Sequence, residues 1–157
     1  MAVLAPRPGL IAALARPAAL ALAAVSLACG GAGDPAAGTV RSLARAANRR
    51  DAAAIVALLS PRFEGPAGMG RDDADAELRR LFAAYASVDV SVSNLATERY
   101  PEFTLARFDV DFRGSARRIG GLEGILPASS RYRFELRLVP EDGALRVAHA
   151  AWEETGR

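Results

Sequence analysis

Lysine is absent from the 157 residues, and cysteine, histidine and tryptophan each occur once. These absences exclude several chemistries. One cysteine cannot close an internal disulfide, and there is no cysteine cluster of the kind that holds a metal. Serine- or cysteine-based triads would have only His149 to draw on. The glycine runs "GGAG" and "RIGGLEG" lack both the strand–loop–helix setting and the lysine of a phosphate loop. "RDDAD", from Arg71, lacks the glycine and distal glutamate of a calcium loop and reads as a helix start. No metal and no other cofactor is expected. Nor does any apolar run reach the roughly 20 residues that a membrane-spanning helix needs.

What the chain does contain begins at its start. Arg7 and Arg16 precede the uncharged "PAALALAAVSLA", then small Ala28 and the lone Cys29. A basic start, a short apolar stretch and a small residue before a cut describe a secretory signal peptide over residues 1–28. "VSLAC" (Val25 to Cys29) resembles the lipobox of bacterial lipoproteins, with the favoured leucine displaced by one position to Leu27. That resemblance implies cleavage before Cys29 and a lipid on its sulfur, since two or more acyl chains anchor a protein stably where one does not. It also implies a bacterial envelope location. Gly30 occupies the position where an aspartate would favour the inner membrane, so the outer membrane is expected in a Gram-negative host. The alternative is an ordinary secretory signal with a stray cysteine.

Removing that segment changes the charge. All 20 basic residues are arginine, and Arg7 and Arg16 would leave with the signal, so eighteen of each sign remain. A balanced chain gives no electrostatic case for binding nucleic acid.

"GGAGDPAAG" after Cys29 reads as a flexible tether over residues 29–38, leaving a single domain over 39–153. Spacings of three and four put Val40, Leu43, Ala44 and Ala47 on one helix face. A second short helix, capped by Asp51, carries Ile55, Val56, Leu58 and Leu59, and Ser60-Pro61 ends it. A third helix follows the Gly/Pro-rich "EGPAGMG", with Leu78, Leu81, Phe82 and Tyr85 as its apolar stripe. The period then falls to two in "VDVSVS", "ARFDVDF", "RYRFELRL" and "ALRVAHAAWE", the signature of half-buried antiparallel strands. "PEDG" marks the last turn. A long loop, Gly114 to Ser129, is a candidate lid.

Helices first and an antiparallel meander after them make an α+β fold. "RAANRRDAAAIVALLSPRFEGP", a third helix, and strands ending in "DGALRVAHAAWEE" resemble the nuclear transport factor 2-like superfamily and its SnoaL-like branch. The resemblance implies an NTF2-like (cystatin-like) cone, with helices packed on a curved sheet. It also implies a cavity for a small apolar molecule, and in some members an isomerase, dehydratase, cyclase or epoxide hydrolase. Neither the aspartate–tyrosine arrangement of ketosteroid isomerases nor the Asp-Arg-Asp set of epoxide hydrolases is visible.

Catalysis would have to come from His149 with Asp109 or Asp111, a pair able to move a proton near neutral pH. Strand alternation argues otherwise, placing both aspartates opposite Phe108, Val110 and Phe112 and among arginines. Tyr85, Tyr132, Phe134 and His149 are candidate pocket residues, while Trp152 has the opposite parity to His149 unless a bulge intervenes. Non-catalytic binding of a small apolar ligand or an envelope partner is expected. The alternatives are a small lyase or isomerase using His149, and a structural homodimer whose cone is filled by side chains.

Overall fold

The computed structural model describes residues 27–29, 33–117 and 127–156. Their elements are β1 (Leu27–Cys29), α1 (Pro35–Asn48), α2 (Ala52–Val56), β2 (Leu59–Glu64), α3 (Arg71–Ala84), β3 (Tyr85–Arg99), β4 (Thr104–Ala116), β5 (Ser129–Glu141) and β6 (Ala144–Gly156). The six strands form one sheet in the order β1-β3-β4-β5-β6-β2, antiparallel except where β2 joins β6. Three helices cover one face of it, so the expected α+β cone is the observed fold.

Helix α1 starts earlier than the sequence pattern suggested. Pro35 occupies its first turn, where a missing N–H costs nothing, and buried Asp34 is its N-cap, accepting from the Ala36 amide at 3.0 Å. The other Asp34 oxygen accepts from the Thr97 hydroxyl at 2.7 Å, which ties the helix start to β3. Residues 34–38 of the expected tether therefore belong to the first helix and its cap. β1 spans the expected cut between Ala28 and Cys29 and pairs with β3, Cys29 opposite Ala96. Residues 1–26, most of the expected signal segment, lie outside the described residues.

The second helix is also shorter than expected. It ends at Val56, and Leu59 and Phe63 enter the core from strand β2 instead. Ser60-Pro61 does not end a helix; it lies in an edge strand, where a proline is tolerated. The remaining pattern follows the period-two reading. Ala106, Phe108 and Val110 of β4 and Leu136 and Leu138 of β5 face the helices and are buried. The β5–β6 hairpin closes on Asp142 and Gly143, both at positive φ (51° and 76°), as a two-residue turn requires.

Two irregularities shape the cone. Asn94, at φ 53°, sits where the β3–β4 register slips, and this returns Thr97 to the inner face. In β6, Leu138 pairs with Val147 but Arg137 pairs with His149, so one extra residue is inserted in β6 between these pairs. Such a bulge bends the strand and reverses which residues point inward beyond it. Tyr85 opens β3 rather than ending α3, and its ring lies so close to Gly114 that a Cβ there would sit 2.6 Å from it. Only glycine lets the ring pack down against β4.

Candidate functional site

The inner face of the sheet and the three helices enclose a cavity of about 570 Å³, within the range typical of small-molecule sites. Its deep end is closed by Val40 and Val147, each 1% exposed. Leu81 and Trp152 line it too but are 37% and 41% exposed, and they mark its opening. One wall is aromatic. Phe108, Phe134 and Trp152 are register partners on β4, β5 and β6, and their rings stack at centroid separations of 5.5 Å for both successive pairs. Tyr132 meets Phe134 edge-on at 6.4 Å.

Polar groups in this lining are few. The Tyr85 hydroxyl donates to the Pro127 carbonyl at 3.0 Å. Burial, and after it the neighbouring Tyr132, raises the Tyr85 phenol above its ordinary pKa, so it stays a protonated donor. The Tyr132 hydroxyl has no hydrogen-bond partner among the described residues and is the one phenol left to orient a guest. Glu77, the only carboxylate of the lining, is ion-paired to Arg80 at 2.6 Å.

Of the pocket candidates, Tyr85, Tyr132 and Phe134 lie on the cavity wall and His149 does not. The β6 bulge is the reason. Before it Val147 points inward, and after it Ala150 and Trp152 do, which leaves His149 outside between Arg137 of β5 and Glu64 of β2. Asp109 and Asp111 are outside as well. Asp109 accepts from Asn94 at 2.8 Å and pairs with Arg133 at 3.3 Å, and the Asn94 amide first and Arg133 after it hold its pKa below the ordinary value. Asp111 pairs with Arg131 at 2.8 Å. Neither aspartate faces His149 in the strand register, since each opposes an arginine of β5 while His149 opposes Arg137. The structure therefore brings His149 together with neither Asp109 nor Asp111, the candidate pairs for catalysis, and places none of the three in the cavity, as strand alternation argued for the aspartates.

Trp152 is the wall residue that strand alternation misplaces. The only local signal was the run of small residues around it, Ala148, Ala150 and Ala151, where a strand accommodates an insertion with little steric cost. Among the described residues no group of three metal-ligating side chains occurs, and no helix is long and apolar enough to cross a membrane.

No family model and no curated protein matches the sequence. Solved structures do match. An uncharacterised protein with a cystatin-like fold from Caulobacter vibrioides is 15% identical, with a TM-score of 0.65 over 78% of this chain and 89% of that one. A ketosteroid isomerase-like protein from Erwinia carotovora atroseptica is 13% identical, with a TM-score of 0.61 over 81% of this chain and 100% of that one. A hexachlorocyclohexane dehydrochlorinase is 12% identical, with a TM-score of 0.63 over 77% and 83%. At these identities the likeness is one of fold, the NTF2-like, cystatin-like cone, and chemistry does not transfer with it.

Proposed function

We propose that this chain is an envelope lipoprotein whose cone binds a small apolar molecule without transforming it. The observation that carries the binding half is the lining itself: an aromatic and aliphatic cavity with one unengaged phenol, Tyr132, to orient a guest. What supports the absence of turnover is the placement of the titratable groups. A proton-transfer site needs an acid or base within hydrogen-bond reach of the substrate. The cavity's one carboxylate is held by an arginine, and the only imidazole of the sequence lies on the other side of the sheet. Several neighbours of the fold carry the names of enzymes, but their likeness reaches this chain only as shape.

The anchor rests on Cys29. Asp34, buried in the domain, is five residues on from Cys29, so a lipid on its sulfur would hold the domain within about 18 Å of the bilayer. Replacing Cys29 with serine should leave an unprocessed precursor that takes up no labelled fatty acid. A variant cut and labelled like the parent would remove the lipid from this reading.

The binding half is tested by native mass spectrometry of the full chain, extracted gently from its own host. The expected result is a bound molecule of reproducible mass, lost in Ala44→Phe, which puts a ring into the cavity from α1. A wild-type chain that is always bare would sink the proposal. Trp152 gives a second readout. It is the only tryptophan of the sequence and stands at the opening, so a guest should shift its emission.

A further inference from the structure

A second concavity lies on the far side of α3 from the cone, with a volume of about 700 Å³. Its walls are the α1–α2 corner, the outward side of α3 and the end of β4. Four arginines line it, Arg49, Arg50, Arg79 and Arg117, against a single carboxylate, Asp51. We propose that this cleft binds the phosphoryl group of a small molecule or lipid headgroup.

The charges of the cleft are not balanced from within. Asp51 is engaged as the cap of α2, accepting from the Ala54 amide at 2.9 Å. Arg79 is held by Asp75 through its Nε alone, at 3.0 and 2.9 Å, which leaves its terminal nitrogens free to donate. Arg49, Arg50 and Arg117 have no carboxylate partner among the described residues. Arg50 and Arg117 even converge, donating to the same Tyr85 carbonyl at 2.8 and 3.3 Å. Two guanidinium groups gathered at one oxygen repel each other unless an anion joins them. The backbone reinforces the arrangement. Arg50 adopts φ 53°, a conformation glycine or asparagine reaches with less strain, and the Arg117 amide is fixed to the Ala84 carbonyl at 2.8 Å.

A purely structural role would be to cap the carbonyls at the end of α3. That role uses one nitrogen on each of Arg50 and Arg117 and none on Arg49, and a guanidinium has five N–H donors. The remaining forks suit the oxygens of a phosphoryl dianion, which several arginines bind bidentately. The site is also far from β1. Ala96, the partner of Cys29, and Tyr85 are eleven residues apart along β3, about 36 Å at the usual rise. A lipid on Cys29 would thus leave the cleft away from its own membrane, and this favours a soluble phosphoryl compound.

The test is calorimetric titration of the full chain, in a neutral detergent at low ionic strength, with inorganic pyrophosphate as the probe. The expected result is saturable binding, weakened by salt and weakened about tenfold in Arg117→Gln and in Arg49→Gln. Arg49 is exposed and its side chain bonds to nothing in the described structure, so Arg49→Gln removes charge without touching the fold. Arg45→Gln, on α1 outside the cleft, should bind like the parent. Absence of saturable heat, or equal affinity in all three variants, overturns the proposal. Phosphatidylcholine vesicles with and without phosphatidic acid separate the sources. Competition by the phosphatidic acid vesicles assigns a headgroup, and binding of pyrophosphate without that competition assigns a soluble ligand. Ala44→Phe, which fills the cone, should leave the pyrophosphate heat unchanged, so this site and the apolar one fail independently.

Discussion

The two faces of the sheet are built from alternate residues of the same strands, yet they do opposite things. Inward, β4 and β5 present Ala106, Phe108, Val110, Leu136 and Leu138, which lose their water to the helices and to one another. Outward, they present a lattice of ion pairs: Arg107 with Glu98 and Glu135, Arg131 with Asp111, and Arg133 with Asp109 and Glu153. Such exposed pairs contribute little to stability because water screens them. The comparison teaches where function can sit. The histidine and the β4 aspartates lie on the outer side, whereas the enclosed side has shape, aromatic surface, two phenols and one carboxylate, Glu77, already paired to Arg80.

The largest effect should come from the inner face. Leu138 is 0% exposed and sits in the buried core cluster with Val40 and Val147, and truncating it to alanine should cost about 3 kcal/mol, read by chemical denaturation of the full chain. Its outer neighbour Arg137 lies over the Phe103 ring at 4.6 Å and is exposed, so Arg137→Ala should cost far less. Equal losses would mean that the two faces do not divide the labour described here.

A smaller effect belongs to the buried carboxylate that joins helix to sheet. Burial pushes the Asp34 pKa up, but the Thr97 hydroxyl, the Ala36 amide and Arg99 at 3.6 Å together outweigh it, so the carboxyl titrates below its ordinary 3.8. The sign follows directly. A carboxylate with a depressed folded-state pKa adds stability that is complete above the unfolded value and is lost as pH falls through the folded one. Stability should therefore drop below about pH 4. Asp34→Asn should flatten that limb, and Asp34→Ala should cost about 2 kcal/mol at neutral pH by removing both the cap and the Thr97 partner. A wild-type acid limb unchanged in Asp34→Asn would show that other carboxylates govern it.

These residues also show what the sequence could and could not disclose. The alternation in "ARFDVDF" and "RYRFELRL" sorted inner from outer residues correctly, because β4 and β5 pair without a register shift over these residues and the period of two runs unbroken. The spacing of three and four in α1 put Leu43, Ala44 and Ala47 on one helix face, and that face lines the cavity. Strand β2 was not legible, since a single edge strand in parallel pairing with β6 leaves only a short apolar pair, Leu58-Leu59, easily read as helix. Nor was the β6 bulge, which depends on pairing with β5 rather than on any residue in "VAHAAW". The arginine cleft was hidden for a third reason. Arg49 and Arg50 meet Arg117 only after 66 residues of intervening chain have folded.

The finest test of the two faces uses residues three positions apart. Trp152 and His149 are neighbours in sequence, and without the bulge His149 would face the cavity and Trp152 the solvent. With it, Trp152→Ala removes a stacked ring from the opening, where an aromatic contact contributes about 1 kcal/mol. Guest affinity should fall several-fold. His149→Ala removes a half-buried ring on the outer side of the sheet that does not line the cavity, so guest affinity should not change. The bulge makes this outcome sharper than conservation of charge or size could, because a one-residue slip in β6 would exchange the two results. If His149→Ala weakens the guest and Trp152→Ala does not, the strand is in the other register, His149 is inside, and catalysis returns as the better account of the cone.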